Sequence, residues 1–439
     1  MPRLPLELIE RIIDDVAEYD DVATVAEYDD VAECDEDHIY KLSSIQACAL
    51  VCHDFLPPCR KYIFASVTLN TAQRVSPPTS FDLNHLLSNS PHLAVCIRNL
   101  NYNVDEEEFD TERFSWLLPM FKKLVKLQKL SISYWRFGKL NWMLSSSARK
   151  VLLTLLHLPT LTSISLSSIR NFSLADLASC VNLKKLRIQS LECLPPNGVG
   201  IFFDALPPTP VMLERLTIDE GNVKPVQQLC HARRPDGKPI IDFSSLKKIK
   251  SRDVRLCSMT ELFGICRNLQ KISLDSMSFP SSYLFIHLTL TLIVDDASFG
   301  PVGSTSCMKG LFTMLKPSLS TLVDIYIAYS IDDGHTSLYD DPLGDLCHEL
   351  EKMVGQNVIE TITLLISVYP RTDCTRWDEL DDVLMGSPEG WPALRKVSLS
   401  LIAAGNYTDT SDKLLKELRG LSMAKLMESK QVQFDFQIS

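Results

Sequence analysis

The 439-residue sequence lacks the motifs that would assign it to an enzyme class. It has no Gly-x-Ser-x-Gly elbow, no Walker loop and no dinucleotide-binding fingerprint. His348-Glu349 begins like a zinc-protease helix, but Lys352 stands where a second zinc-binding His would be needed. Residues 300–306 form a loop with two glycines but lack the Lys that would reach a phosphate. We therefore expect no catalytic residues, no metal and no cofactor.

Long hydrophobic runs are also absent. The longest strongly apolar stretch, 283–294, is shorter than the roughly 20 residues that a membrane-spanning helix requires, and two Thr residues and a His interrupt it. No charged-then-apolar leader opens the chain. The thirteen Cys residues are odd in number and have no fixed spacing, which favours reduced thiols. We expect a cytoplasmic or nuclear protein without membrane partners.

An excess of positive charge is missing too. The chain has 44 Lys and Arg against 55 Asp and Glu, a net charge of −11. Residues 14–37 hold twelve of these acids and no Lys or Arg, so the rest of the chain is nearly neutral, with 44 basic against 43 acidic residues. Nucleic-acid binding calls for a basic surface, and the composition therefore predicts no nucleic-acid partner.

The acidic segment contains a visible duplication. Residues 16–23 read Val-Ala-Glu-Tyr-Asp-Asp-Val-Ala, and residues 25–32 repeat the same eight letters. The period of nine matches neither a helix nor a strand, and few bulky apolar residues are present to offset the entropy of ordering. We predict a mobile acidic insertion at about 17–37. A slipped duplication without function is the alternative.

Two apolar patterns near the N-terminus predict a pair of amphipathic helices. Pro5 can occupy the first helical position of the first helix. In the first pattern apolar residues recur every fourth residue, at Leu4, Leu8, Ile12 and Val16, and Ile9 and Ile13 lie beside them. The second pattern has a 3-4-3 spacing, at Ile45, Cys48, Cys52 and Phe55, and ends at Pro57 and Pro58. Pro58 can open a third helix. So many apolar side chains exceed what one small partner helix can bury.

Cys48, Cys52, His53 and Cys59 are spaced closely enough to suggest a metal site. Because Cys48 and Cys52 lie on the apolar stripe, we expect them to pack as small hydrophobic residues instead.

The two segments together resemble the F-box, a helical module of roughly fifty residues with a Leu-Pro-x-Glu-Leu-Leu start and a Val-Cys-x-x-Trp/Phe second helix. The matching residues are Leu4, Pro5, Glu7, Leu8 and Ile9, then Val51, Cys52 and Phe55. The acidic insertion departs from the family pattern. The resemblance covers residues 3 to about 68 and implies docking on a Skp-type adaptor of a cullin ubiquitin ligase. The expected adaptor-binding residues are Leu4, Pro5, Leu8, Ile9, Ile12, Ile13, Ile45, Cys48, Val51, Cys52 and Phe55. An ordinary helical hairpin that caps the domain behind it is the alternative.

From residue 90 onward a short phrase, apolar-x-x-apolar-x-apolar, keeps returning, mostly at intervals of 22 to 37 residues. Its first two residues are Ile97/Leu100, Leu127/Leu130, Leu161/Ile164, Leu183/Leu186, Leu213/Leu216, Leu246/Ile249, Leu269/Ile272, Leu322/Ile325, Ile359/Ile362 and Leu394/Val397, with a last, partial phrase at Val432. Helix-like segments at 112–124, 148–158, 255–266 and 343–354 lie between phrases. Strand, turn and helix in repetition predict stacked units.

This pattern resembles an irregular leucine-rich-repeat array without the Asn that usually follows each strand. The resemblance implies an α/β fold with parallel strands on a concave face and helices on a convex face. Polar residues alternate with the apolar ones, as in Ser131 and Ser133, which argues against the alternative of a sheet buried on both faces. We predict a helical module at 1–70 and a repeat domain at 71–439.

The segments that follow the strands carry aromatic and charged residues that favour protein recognition. The predicted target-binding residues are Tyr134, Trp135, Arg187, Tyr329, Asp332, Arg371 and Trp377. Some of these rings are as well explained by packing between repeats. Only a few basic residues, notably Arg187 and Arg371, are expected on this side, which favours an unmodified or basic target segment over a multiply phosphorylated one.

The sequence thus predicts a non-catalytic substrate receptor of a Skp–cullin–F-box ubiquitin ligase. The N-terminal helices would bind a Skp-type adaptor, with a cullin scaffold as the further partner in the complex, and the repeats would bind an unknown protein substrate. The alternative is a repeat scaffold that binds protein without recruiting a ligase.

Overall fold

The computed structural model describes fourteen stretches of the chain: 4–25, 44–70, 80–104, 114–134, 138–143, 146–194, 208–219, 223–252, 259–275, 308–331, 342–368, 377–386, 390–403 and 423–438. They belong to two compact units, Met1–Leu183 and Lys184–Ser439.

The first unit contains a helical module followed by parallel strands and further helices. Its helices are α1 (Leu6–Val25), α2 (44–49), α3 (Leu56–Ile63), α4 (Ser80–Asn89), α5 (Phe114–Phe121) and α6 (Ser146–Leu156), with 3₁₀ turns at Pro91–Val95 and Leu174–Leu177. Its strands are β1 (Ser66–Asn70), β2 (Asn99–Val104), β3 (Lys129–Tyr134), β4 (Leu140–Asn141) and β5 (Ser163–Phe172).

Helix α1 corrects the prediction of a mobile insertion at 17–37. The helix continues through the first copy of the duplication and ends only at Val25. The segment 6–25 contains no Gly or Pro to end it, and its Ala and Glu residues are good helix formers. Local helix propensity therefore outweighs the acidic composition as far as residue 25. Residues 26–37 lie outside the described stretches.

The second helix is shorter than the sequence pattern indicates. Residues 44–49 are helical, and the backbone N–H groups of Leu50 and Val51 then bond three residues back, to Ala47 and Cys48. The predicted stripe from Ile45 to Phe55 therefore spans one helix and a following turn. The third helix begins at Leu56, with prolines in its first turn, where their missing N–H groups cost nothing.

The sheet of the first unit has parallel strands in chain order, β1-β2-β3-β5, and β4 pairs with the far end of β5. Burial alternates along β2 and β3, with the apolar residues inward. Strand β1 lies within the predicted 1–70 module, so the parallel sheet begins at Ser66. The division of the chain at 70/71 stays a prediction.

The second unit repeats the strand-and-helix pattern. Its strands are β6 (Lys185–Cys193), β7 (Val211–Met212), β8 (Arg215–Asp219), β9 (Ile241–Asp242), β10 (Lys248–Arg252), β11 (Lys271–Asp275), β12 (Asp324–Ile331), β13 (Thr361–Val368), β14 (Lys396–Ala403) and β15 (Gln433–Ile438). Its helices are α7 (Val223–His231), α8 (Thr260–Ile265), α9 (Leu311–Leu315), α10 (Pro342–Glu351), α11 (Trp377–Met385) and α12 (Ala424–Glu428), with a 3₁₀ turn at Lys316–Ser318.

The repeated phrase sets the register of the sheet. Strands β6-β8-β10-β11-β12-β13-β14-β15 are parallel and in chain order, and the short strands β7 and β9 pair separately. The second apolar position of each phrase faces that of the next, as Ile272 faces Ile325 and Ile325 faces Ile362. Stacked phrases therefore form one continuous apolar layer, and the predicted α/β repeat class is confirmed.

Candidate protein-interaction surface

One face of α1 is packed in the core of the helical module. Ile13 is fully buried and forms a cluster with Ile45 of α2 and Cys59 of α3. Ile9, one turn earlier on α1, is 3% exposed. Ile9, Ile13 and Ile45 were predicted as adaptor-binding residues, but all three are buried and present no free surface, and Ile13 and Ile45 belong to the cluster that joins the three helices.

The flank of α1 beside this core remains uncovered. Leu8 and Ile12 are 47% and 41% exposed, and their spacing of four places them on the same face of the helix, one turn apart. Leu4, which precedes the helix, is 52% exposed. Pro5 is also exposed, and its carbonyl oxygen accepts the N–H groups of Leu8 and Ile9 at 3.1 and 3.2 Å. Helix α1 therefore carries two apolar stripes, one that packs in the core and one that is exposed.

The turn after α2 adds further exposed apolar side chains. Leu50 and Val51 are 87% and 68% exposed. We use the name apolar patch for the exposed large hydrophobic residues of the helical module without implying that all of them touch: Leu4, Leu6, Leu8, Ile12, Leu50 and Val51, six of the fifteen such residues in the described stretches. The sequence analysis missed Leu6 and Leu50 because it followed the helical stripes, and both residues lie off them.

The cysteines of the module differ in burial. Cys59 is fully buried, Cys48 is half-buried and Cys52 is exposed, which corrects the prediction that Cys48 and Cys52 both pack. Phe55 is half-buried against the helical core. Burial, with a smaller contribution from Cys48, raises the pKa of the Cys59 thiol, so this group stays protonated at neutral pH. In the described stretches no group of three or more His, Cys, Asp or Glu side chains is placed to hold a metal ion.

A polar contact fixes α1 against α3. The Tyr62 hydroxyl donates a hydrogen bond to Asp14 Oδ1, and Lys61 Nζ lies 3.3 Å from the same oxygen. These two donors, Tyr62 first, hold the pKa of the Asp14 carboxyl below its usual value. Because Asp14 lies on α1 and both donors lie on α3, the contact sets the rotation of α1 about its own axis and thus the direction of the apolar patch.

Three of the predicted target-binding aromatics are buried. Tyr134 is 8% exposed, Tyr329 is fully buried and Trp377 is 1% exposed. Trp142, which also follows β3, donates its indole N–H to Asp176 at 2.7 Å inside the first unit. The prediction that Tyr134, Tyr329 and Trp377 anchor a target on the surface is wrong, because all three rings are buried. Large aromatic rings commonly fill space in the packed interior of a protein.

The other predicted target residues divide into two groups. Trp135, Asp332 and Arg371 lie outside the described stretches. Arg187 lies on β6, and its Nε donates to Asp219 Oδ2 on the neighbouring β8 at 2.7 Å. Its guanidinium is partly exposed on the polar face of the sheet.

Basic residues on this polar face are more numerous than predicted. The outward positions of β6, β8, β10 and β11 hold seven Lys or Arg against three acids: Lys185, Arg187, Arg215, Lys248, Lys250, Arg252 and Lys271, with Asp219, Asp275 and Glu192. The expectation of only a few basic residues on this side is therefore wrong for these four strands.

No described helix is both long enough and apolar enough to cross a membrane.

No protein-family model and no curated protein sequence matches the chain. Among solved structures it is similar to the complex of Rad7 and Elc1 from yeast, with 13% identity over 86% of this chain and 76% of that chain, at a TM-score of 0.37. It is also similar to the leucine-rich repeat-containing protein LegL7 from Legionella pneumophila, with 11% identity over 81% of this chain and 98% of that chain, at a TM-score of 0.36.

Proposed function

We propose that the chain is a substrate receptor of a Skp–cullin–F-box ubiquitin ligase and is itself non-catalytic. The observation that carries the proposal is the apolar patch on a module whose other helical face is already packed. Fully burying one Leu or Ile side chain is worth about 1.5 to 3 kcal/mol, so six exposed apolar residues favour a protein partner. The match of Leu4, Pro5 and Val51 to the F-box pattern supports a Skp-type adaptor as that partner.

The contribution of such a receptor is proximity. An adaptor bound to residues 4–63 and a target bound to the repeats are held on one chain, which turns a bimolecular encounter with a charged ubiquitin carrier into a local one. The chemistry then belongs to the partners of this chain.

The test is the triple variant Leu8→Ala, Ile12→Ala and Val51→Ala. The three side chains are exposed, so we expect the melting temperature to change little and co-precipitation of Skp-type adaptor and cullin to be lost. The matched control is Val125→Ala with Val181→Ala, which shortens two exposed valines outside the module.

A folding control separates packing from binding. Ile13→Ala removes a fully buried side chain and should lower the stability of the module by about 2 to 5 kcal/mol. Full adaptor binding by the triple variant would contradict the proposal that the apolar patch is the adaptor site. Absence of adaptor and cullin from the wild-type precipitate would favour a repeat scaffold that recruits no ligase.

A further inference from the structure

The polar face of the second unit brings together basic residues that are far apart in sequence. Strand pairing places Lys185 opposite Arg215, Arg215 opposite Lys248 and Lys248 opposite Lys271. Neighbouring strands are about 4.8 Å apart, so the four side chains form a row roughly 14 Å long. Successive residues of the row are 23 to 33 positions apart in the sequence, so the sequence alone does not reveal the row.

Further basic residues extend the row along the strands. Arg187 follows Lys185 on β6, and Lys250 and Arg252 follow Lys248 on β10, each at alternate and therefore outward positions. We call the seven residues Lys185, Arg187, Arg215, Lys248, Lys250, Arg252 and Lys271 the basic face. The twelve outward positions in the shared register of these four strands hold seven positive charges and, with Asp219 and Asp275, two negative ones. The exposed Glu192 near the end of β6 is a third acid, which leaves a net charge of +4.

The charge is concentrated on these four strands. The corresponding outward positions of β12, β13, β14 and β15 hold one cation, Lys396, and two acids, Asp324 and Asp435. Lys396 is itself paired with Asp435 at 2.8 Å. Lys271, at the end of the row, faces Asp324 of β12.

The acids within the basic face do not cancel it. Asp219 accepts a hydrogen bond from Arg187 and lies 3.9 Å from Arg252, whose Nε is 4.0 Å from Asp275. Asp219 is 3% exposed, whereas Lys185 is exposed and the other basic residues are partly exposed. The carboxylate therefore lies beneath the arginines and orients them, and the positive groups face outward.

We propose that the basic face binds an extended peptide segment rich in acidic or phosphorylated side chains. Lys248, Lys250 and Arg252 are spaced by about 6.7 Å along β10, which is also the spacing of alternate side chains in an extended peptide. Arg and Lys form strong charge-assisted hydrogen bonds with carboxylate and phosphate groups. None of the twelve outward positions is aromatic, so the face lacks the stacking platforms of single-stranded nucleic-acid sites.

This inference deepens the proposed function, on which it rests for the role of the peptide as a ubiquitination target. Binding of the peptide itself requires neither adaptor nor cullin. It replaces the sequence-based preference for a basic or unmodified target segment.

The experiment measures fluorescence anisotropy of labelled peptides with the full chain. The probes are a peptide that alternates Glu with Ser, the same peptide with phosphoserine in place of Glu, and one with Gln in place of Glu. We expect both acidic peptides to bind, the Gln peptide to bind at least about tenfold more weakly, and affinity to fall as salt rises. The two acidic probes distinguish carboxylate from phosphate as the preferred group.

The test variant is Arg215→Gln with Lys248→Gln, which removes two charges from the centre of the row. We expect affinity to fall about tenfold or more, since two charge-assisted contacts are lost. Lys396→Gln is the matched control, because Lys396 occupies the same strand position on β14, outside the basic face. Arg215→Lys, which keeps the charge, should retain binding, and circular dichroism establishes that each variant is folded.

Three results would overturn the proposal: equal affinity of the double variant and wild type, binding that is indifferent to salt, or tighter binding of a thymidine oligonucleotide of equal charge. Co-precipitation of adaptor with the same double variant is measured as well, so that loss of peptide binding is distinguished from loss of adaptor binding. A wild-type chain that binds the acidic peptides but no adaptor would contradict only the ligase assignment.

Discussion

Burial decides what individual residues do in this chain. Along α1, Ile13 is fully buried and Ile12 is 41% exposed, although they are adjacent and chemically alike. Polar residues divide in the same way. Glu349 is 4% exposed, whereas its neighbour His348 is exposed. Glu349 is buried because its carboxylate turns inward to accept the Phe312 N–H at 2.8 Å.

Stability should depend on pH through Glu349. Burial alone would raise the pKa of this carboxyl, but Lys352 Nζ at 2.7 Å and the backbone N–H groups of Phe312 and Gly310 outweigh it, and the pKa is lowered. The unfolded chain therefore binds more protons, and the stabilisation is present above the ordinary pKa of about 4.3 and lost as pH falls through the folded pKa.

We expect Glu349→Gln to lower the free energy of unfolding by about 1 to 3 kcal/mol at pH 7, since a charged hydrogen-bond acceptor is replaced by a neutral one. Urea titrations of wild type and variant at several pH values between about 3 and 7 measure this difference. The gap should narrow below about pH 4. A gap of constant size across this range would contradict the assigned role of the carboxylate.

Local backbone geometry modifies the strands at the scale of elements. Ser168 in β5 and Ser190 in β6 have positive φ angles of 55° and 47°. Each stands two residues after the last apolar position of its phrase, and the residue that follows it, Ile169 or Leu191, is buried. The left-handed residue thus interrupts the alternation of inward and outward side chains along the strand, and the apolar side chain after it is buried in the core. Ile169 and Leu191 occupy positions where regular leucine-rich repeats carry Asn.

Substitution at Ser168 tests this geometry. Ser168→Val should destabilise the chain by about 1 to 2 kcal/mol, because a β-branched residue is strongly disfavoured at positive φ. Ser168→Gly should be neutral or stabilising, since Gly adopts this conformation without steric cost. Thermal unfolding compares the two variants. Ser165, an outward residue of the same strand, is the control position, and Ser165→Val there should be tolerated. Equal melting temperatures of the two Ser168 variants would show that the left-handed conformation is unimportant.

The last strand and the last helix of the second unit are each held by a neighbouring element. Strand β15 covers one edge of β14, and its Phe434 and Phe436 rings stack at a centroid distance of 6.0 Å. The preceding helix α12 is held by Asp381, whose two carboxylate oxygens accept the N–H groups of Lys425 and Leu426 at 2.9 Å. Such a terminal strand protects the edge of the sheet from pairing with another chain.

Truncation after Lys430 should therefore lower the melting temperature and increase aggregation on heating, because β14 loses its hydrogen-bonding partner. Light scattering during a thermal ramp measures the effect. The control is Asp435→Ala in the full chain, which removes the Lys396 ion pair and an exposed hydrogen bond from Gln433 and should behave like wild type. Unchanged behaviour of the truncated chain would show that β15 contributes nothing to the edge.

The repeated apolar phrase was sufficient to predict the strands that carry it, their order and their inward residues, because a period of two and a period of about 3.6 are local properties of the chain. Strand β1, which precedes the first phrase, was missed. The exposure of an individual residue, in contrast, depends on parts of the chain that are distant in sequence. Whether Leu8 or Ile13 is covered depends on α2 and α3, and whether Tyr329 is buried depends on neighbouring strands. The basic face exists only because strand pairing aligns residues from four separate phrases. Secondary structure and fold class thus follow from the sequence, whereas the candidate surfaces were decided by tertiary packing, which brings distant residues together and covers some while leaving others exposed.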